Sequence, residues 1–226
     1  MTILRDIWLV LKKDLLLEWR SRARILSVVL FGIVALALFS FAADANTVVL
    51  QTTAAGFLVL ALLLSSTLAL GESFRMEQED EAIEGLLLLP MNPVAIFYGK
   101  ALSNTLFLCL LGPVLAVAAV LFYAVETSFG ELAKLVLLWT LAAAGLSAPG
   151  TLYAAMTCRL RSQDVLLPIV HYPLVIPVLM ASVKSMDLIL NGDPMGQMRP
   201  WTMVLVAFAT IYWALGGLLF PFAIEE

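Results

Sequence analysis

Residues 71–100, GESFRMEQEDEAIEGLLLLPMNPVAIFYGK, decide how this chain is arranged. Six of the 17 acidic residues fall within residues 72–84, although the whole chain is 62% hydrophobic and has a mean hydropathy of +0.99. A carboxylate near the centre of a bilayer costs about 2.5 to 3.5 kcal/mol. The acidic segment is therefore predicted to lie in water, between two membrane spans.

The rest of the sequence reads as membrane-spanning helix. Only 13% of the 226 residues are charged, which is too little polar material for the surface of a soluble domain. Several apolar runs reach the length of about 20 residues that a bilayer requires. We predict an all-α membrane protein of a single domain with six transmembrane helices, at about residues 25–43, 48–70, 101–123, 132–156, 165–184 and 201–224.

The distribution of Lys and Arg predicts the orientation. With the N-terminus inside, ten of the 13 basic residues lie on the same side as the acidic segment. The other side has Lys134, Lys184 and Arg199. The positive-inside rule then places both termini and the acidic segment in the cytoplasm.

Residues 1–24 are predicted to form an amphipathic helix before the first span. Its apolar stripe, at three- and four-residue steps, consists of Leu4, Ile7, Trp8, Leu11, Leu15 and Trp19. Basic residues flank the stripe, so the helix should lie in the inner interface near anionic headgroups. A contact with a partner subunit is the alternative, and the two are compatible.

The acidic segment itself has a helical pattern. On a helical wheel Glu77, Asp80, Glu81 and Glu84 share one face, and Met76, Ile83, Leu86 and Leu87 share the opposite face. Pro90 and Pro93 end the pattern. Such a helix suits docking to a soluble partner, because acidic residues are repelled by the anionic inner leaflet. A solvated helix without a partner is the alternative.

No catalytic constellation is present in the sequence. There is no GxxxxGK[ST] loop and no nucleophile motif, so we predict a chain that is not an enzyme, and any ATP-driven work must use a motor from another subunit. Cys109 and Cys158 match no metal or redox spacing, and no metal site is predicted. Trp139 and Trp201 fit an outer aromatic belt.

His171 is the only histidine. We expect it to hydrogen-bond inside the bundle, to a carbonyl freed by Pro173 or Pro177. The alternative is a haem ligand or a polar group on a substrate path.

Two runs carry a resemblance to a known family. They are LALGESFRMEQEDEAIEGLLLLPMNPVAIFYGKALSN at residues 68–104 and GLSAPGTLYAAMTCRLRSQDVLLPIVHYPLVIPVLMASV at residues 145–183. In order and spacing they resemble cytochrome c maturation protein B, the permease subunit of haem-exporter-type ABC complexes. His171 stands where that family usually has an aliphatic residue, so the resemblance gives it no role as a haem ligand.

The resemblance implies an ABC-2-type exporter architecture, with an N-terminal interfacial helix and a cytoplasmic coupling helix at residues 72–89. Two copies would pair with two ATPase subunits of the haem exporter A type. Further partners would be haem-handling membrane subunits, a periplasmic haem chaperone and membrane lipid, but no nucleic acid. The location would be the bacterial inner membrane. The residues implied to touch the ATPase are Glu77, Asp80, Glu81, Ile83, Glu84, Leu86 and Leu87, with Arg159, Arg161 and Asp164 at a second contact.

The substrate is less constrained than the architecture. Haem is a planar dianion at neutral pH, and the spans hold few basic groups to receive its propionates. A permease for a lipid or drug and a membrane scaffold without transport are the alternatives. In a further alternative, ATP is used to release haem already bound to its chaperone.

Overall fold

A computed structural model describes residues 3–79, 92–125, 127–157 and 163–225, and the side chains of 3–71, 92–125, 127–128, 130–157 and 166–223. Within these ranges every helix is an α-helix and no strand occurs. The helices are α1 (Ile3–Arg20), α2 (Arg22–Ala42), α3 (Thr47–Glu79), α4 (Pro93–Tyr123), α5 (Phe129–Thr157), α6 (Gln163–Leu190) and α7 (Met198–Glu225).

The prediction of an all-α protein with six membrane spans is confirmed. Helices α2 to α7 are each long and apolar enough to cross a membrane, and α1 is a separate helix before them. Helix α3 continues to Glu79, beyond the predicted end of its span at residue 70. Helix α6 continues to Leu190, beyond residue 184. The chain is a multi-pass membrane protein whose helices extend past the apolar runs.

Helix α5 is the centre of the bundle, since it packs against α3, α4, α6 and α7. In the most apolar stretch of α5, 67% of the residues are buried, whereas the figure for α2 is 22%. Small residues on α5, such as Ala142 and Ala143, lie at most 1% exposed in the main core. They let neighbouring helices approach closely, as small residues do in membrane bundles.

Trp139 shows how close this packing is. It is 8% exposed and donates a hydrogen bond from its indole nitrogen to the carbonyl oxygen of Leu108, at 2.9 Å. A Cβ on Gly112 would lie 2.5 Å from that indole nitrogen, so the glycine makes room for the ring. The expectation that Trp139 belongs to an aromatic belt is wrong, because the ring is inside the bundle.

The starts of α4 and α7 are capped by short polar side chains. Asn92 accepts a hydrogen bond from the Val94 N–H at 2.9 Å, and Pro93 follows at the first helical position of α4. Asp193 accepts from the N–H groups of Gln197 and Met198 where α7 begins. The Met198 and Gln197 hydrogen bonds, the strongest causes, hold the pKa of the Asp193 carboxyl below its usual value.

Candidate functional site

Most of the described charged side chains that are buried lie at one end of the bundle. This end, called here the α1 end, holds α1, the starts of α2, α4 and α6, and the ends of α3, α5 and α7. The connections at residues 43–46, 124–128 and 191–197 lie at the opposite end. The acidic segment joins α3 to α4 at the α1 end.

The first two turns of α4, residues 93–100, are called here the α4 root. Two helices pack closely against this root, and each contact is made at a glycine. A Cβ on Gly99 would lie 2.6 Å from Cβ of Val10 in α1, and a Cβ on Gly216 in α7 would lie 2.1 Å from the Phe97 ring. Phe97 is fully buried among Val10, Ile96 and Phe220 in a second hydrophobic cluster. The α4 root is therefore held between α1 and α7.

An ion pair adds to the contact between α1 and the α4 root. Nζ of Lys100 lies 3.4 Å from Oδ2 of Asp14, and Lys100 is 1% exposed. Oδ1 of Asp14 lies 3.1 Å from Nζ of Lys13. Lys100 therefore links α4 to α1 within the protein.

A second pair links α1 to α2 and α3. Nη2 of Arg24 lies 3.4 Å from Oε1 of Glu18, and both side chains are 10% exposed. The same nitrogen donates to the Ala69 carbonyl oxygen at 2.8 Å. The guanidinium also lies 6.0 Å from the centroid of the Phe107 ring on α4. Arg24 thus connects four helices at the α1 end.

Burial also alters the acidity of Glu18. The pKa of its carboxyl is raised to about 7, mainly by desolvation and to a smaller extent by the neighbouring charge of Asp14. Arg24 and Lys100 oppose the rise, with Arg24 the stronger of the two. The carboxyl can therefore gain or lose its proton near neutral pH.

The two sides of α1 differ in chemistry. The side that faces the bundle contains Asp6, Val10, Asp14 and Glu18, which recur every fourth residue. From the predicted apolar stripe, Leu4 and Trp19 are each 78% exposed and Trp8 is 62% exposed. An apolar exposed side is what a helix lying in a membrane interface requires.

Hydrogen-bonded hydroxyls and an amide connect α4 to α5 one turn further into the bundle. The Asn104 amide nitrogen donates to Oγ1 of Thr151 at 2.9 Å. Oγ1 of Thr105 and Oγ of Ser147 share a hydrogen bond as well. Asn104 and Thr151 are at most 4% exposed. This layer fixes the position of α4 relative to the central helix.

His171 lies on α6 beside this layer and is fully buried. Its Cε1 is 3.2 Å from the position that a Cβ on Gly150 would occupy. Neither ring nitrogen has a hydrogen-bond partner among the described residues. The expectation of a hydrogen bond within the bundle is wrong, because Pro173 is exposed on the other side of α6 and the carbonyl it frees belongs to Ile169, which is 60% exposed.

The described side chains also include no group of three His, Cys, Asp or Glu residues able to hold a metal ion.

The residues expected to contact an ATPase fall largely outside the described part of the chain. Glu77 lies on the backbone of α3, with its side chain not described. The others lie outside the described residues, namely Asp80, Glu81, Ile83, Glu84, Leu86, Leu87, Arg159 and Arg161, as does Cys158. The side chain of Asp164, on α6, is not described either. Their contact with a partner remains a prediction.

The buried ion pairs were missed by sequence reasoning, although a signal for them exists. The acidic residues Asp6, Asp14 and Glu18 are spaced by eight and four residues along α1, which places them on one side, opposite the exposed tryptophans. A helix beside anionic headgroups would not bury such a stripe without cations, and Lys100 and Arg24 provide them. The partners could not be named, because Lys100 and Asp14 lie 86 residues apart.

Comparison with known proteins identifies relatives across almost the whole chain. The family model described as "CcmB protein" matches residues 5–226. "Heme exporter protein B" of Pseudomonas aeruginosa is 30% identical over 220 residues, 96% of this chain and 93% of the relative. The protein of that name from Haemophilus influenzae is 30% identical over 207 residues, 89% and 91% of the two chains. The one from Escherichia coli K12 is 28% identical over 181 residues, 80% and 81%.

Proposed function

The chain belongs to the CcmB protein family, and from this we propose that it is the permease subunit of an ATP-driven complex that exports or delivers haem for c-type cytochromes. Its relatives bear the name "Heme exporter protein B". The proposed complex contains two copies of this chain, two ATPase subunits, haem-handling membrane subunits and a haem chaperone outside the membrane. Since no nucleotide-binding loop occurs in the sequence, ATP is hydrolysed by the partner.

The α1 end faces the cytoplasm in this proposal, and the membrane is the bacterial inner membrane. Ten of 13 Lys and Arg residues belong to this end by the sequence. The exposed Trp8 and Trp19 then lie at the inner interface, where indole rings are favoured. Both termini are cytoplasmic.

The acidic segment is the proposed contact with the ATPase, through Glu77, Asp80, Glu81 and Glu84, with Arg159 and Arg161 nearby. One observation carries this part of the proposal. The segment precedes the α4 root in the sequence, and this root contacts α1 and α7 through the close approaches at Gly99 and Gly216. A displacement of the segment would therefore be passed to several helices at once, because close-packed interfaces transmit strain.

Charge reversal of the acidic face tests the contact. The tetramutant Glu77→Lys, Asp80→Lys, Glu81→Lys and Glu84→Lys is expected to lose association with the ATPase, because each pair across the interface becomes repulsive. The measurement is co-purification of the ATPase from detergent-solubilised membranes, with ATP hydrolysis by the purified complex as a second readout.

The matched control reverses the charge of four acidic residues that belong to the opposite end. These are Asp44, Glu126, Glu131 and Asp187, and their reversal should leave ATPase association at the wild-type level. Association of the acidic-face tetramutant at that level would overturn the proposed contact. Loss of association in the control alone would overturn the proposed orientation.

A second function is favoured by a specific observation. The two basic side chains buried at the α1 end, Lys100 and Arg24, already contact carboxylates of α1. Neither is therefore in a position to receive haem propionates in this state. In the second function, ATP drives release of haem from its chaperone, and haem does not pass through this chain. The test supplies haem on the outer side only and measures whether ATP accelerates its release.

A further inference from the structure

Helix α6 has a stripe of buried polar groups that the proposed function has not used. His171, Ser182 and Ser185 are all fully buried. Both ring nitrogens of His171 and both serine hydroxyls lack a hydrogen-bond partner among the described residues. At 3.6 residues per turn, Ser182 and Ser185 lie within about 40° of His171 around the helix. The three residues thus share one side, called here the inward face of α6.

Such groups usually find partners in a membrane bundle. Ser66 donates to the Leu63 carbonyl at 2.8 Å, and Thr157 donates to the Tyr153 carbonyl at 2.8 Å. Burial of a polar group without a partner is unfavourable, so most native structures avoid it. Ser65 of α3 is also without a partner among the described residues, and it lies beside Gly32 of α2. On α6 the unfavourable groups are concentrated on one face.

The inward face can separate from α5 without breaking a hydrogen bond of its own three polar side chains to any described residue. Val178, between His171 and Ser182, lies 3.1 Å from the position that a Cβ on Gly145 would occupy. His171 meets α5 at Gly150. Glycines present a smooth backbone surface, and the polar side chains of the inward face have no hydrogen bonds to lose. Separation from α5 therefore exposes groups that gain from water.

Helix α6 also has the most interior prolines of the described helices. It contains Pro168, Pro173 and Pro177, whereas α4, α5 and α7 contain one interior proline each. Every proline removes one N–H donor and clashes with the preceding turn. Pro173 and Pro177 are exposed, on the side away from the inward face. A helix interrupted in this way bends more readily than its neighbours.

We infer that the inward face of α6 is exposed to water in a second state of the protein, reached when α6 moves away from α5 during the ATP cycle. The inference rests on the proposed function for its source of energy. In that second state His171, Ser182 and Ser185 have hydrogen-bond partners. The dry, closed arrangement described above is the other state of the same helix pair.

Cysteine labelling in the assembled complex tests this. In a background with Cys109→Ala and Cys158→Ala, Ser182→Cys and Ser185→Cys are introduced singly and reconstituted with the ATPase in liposomes. A membrane-impermeant maleimide is added with and without ATP and vanadate. ATP and vanadate together should trap the water-exposed state. They are expected to raise the labelling rate about tenfold or more, since this state, populated to at most about 10% without them, becomes the major one.

The matched control is Ala119→Cys on α4, which is 2% exposed and lies near the same end of the bundle. It should stay unlabelled in both conditions. Cysteines at 182 and 185 that stay unlabelled in both conditions, or are labelled equally with and without nucleotide, overturn the inference. Labelling at 119 that rises in parallel also overturns it, because the opening would then not belong to α6.

Hydrogen exchange on the unsubstituted complex gives an independent measurement. Amides of residues 175–190 should exchange faster in the trapped state than in the nucleotide-free state, and equal rates contradict the inference. Co-purification of the ATPase separates the two proposals. A complex that hydrolyses ATP without exposing the inward face overturns the inference alone, and a chain that binds no ATPase overturns the proposed function as well.

Discussion

At the α1 end, buried Lys100 and Arg24 lie against Asp14 and Glu18, whereas on the inward face of α6 the buried His171, Ser182 and Ser185 have no hydrogen-bond partner among the described residues. The two regions belong to one bundle. They differ in what a substitution should do. Removing one partner of a buried pair leaves a charge uncompensated, but removing an unpartnered hydroxyl leaves nothing behind.

The largest effect is expected from Lys100→Met. Loss of the ammonium leaves the Asp14 carboxylate at 10% exposure without its contact to α4, and breaking a buried pair costs about 3 to 5 kcal/mol. Thermal unfolding of the purified protein in detergent measures the loss. The double variant Lys100→Met with Asp14→Leu should recover most of it. Lys134→Met, an exposed site at the opposite end, should change little.

The pH dependence of stability should depend on Glu18. Because its folded pKa of about 7 lies above its ordinary value of 4.5, the folded state binds the proton more tightly. This contribution is fully present below pH 4.5 and is lost as the pH rises through 7. It amounts to at most about 3 kcal/mol. Between pH 5 and 8 the melting temperature of the wild type should fall as the pH rises, and that of Glu18→Gln should change less. An equal pH dependence in both contradicts the assignment.

Gly99→Ala tests the contact between α1 and the α4 root. The new methyl group would lie 2.6 Å from Cβ of Val10, and overpacking of this kind costs about 1 to 3 kcal/mol. Val10→Ala in the same chain should restore part of the stability. Gly56→Ala is the control, because a Cβ there meets nothing within 4 Å. Its helix should gain about 0.5 to 1 kcal/mol. Melting temperature is the measurement.

The smallest effect on stability is expected on α6. Ser182→Ala and Ser185→Ala should leave the free energy of unfolding unchanged or raise it by about 1 kcal/mol at most, because an unsatisfied buried hydroxyl is removed. The melting temperature should therefore stay the same or rise slightly. ATP hydrolysis by the complex should nevertheless fall, since the exposed state loses hydrogen bonds to water. A variant as active as wild type would show that the two regions differ in stability only.

Sequence reasoning could predict the spans, because an apolar run of sufficient length has few alternatives in a membrane. It could also predict the helix of residues 3–20 from the spacing of Trp8, Leu11 and Trp19. It could not predict which side of that helix faces the protein, since this depends on Lys100, 86 residues beyond Asp14. Of the apolar stripe, Leu4, Trp8 and Trp19 are exposed, whereas Leu11 is buried and faces inward with the acidic residues.

The spacing of residues within one helix was most misleading at Trp139 and His171, because neighbouring helices decide whether these side chains are buried. Trp139 matched an interfacial position, but Gly112 on another helix provides space for its ring inside. His171 was expected to use a carbonyl freed by a nearby proline. That expectation ignored direction around the helix, since Pro173 and Pro177 lie on the exposed side and His171 on the buried side. Spacing along one helix cannot reveal which side its neighbours cover.

The pair of Asp14 and Lys100 also has a consequence for biosynthesis. Asp14 leaves the ribosome 86 residues before its partner, which at about 5 to 20 residues per second is roughly 4 to 17 s. During that interval the nascent N-terminal helix has no cation from α4, and its exposed Trp8 and Trp19 can hold it only at the membrane surface. Docking of α1 therefore has to follow insertion of the third span, so the first helix made is among the later ones to reach its final place.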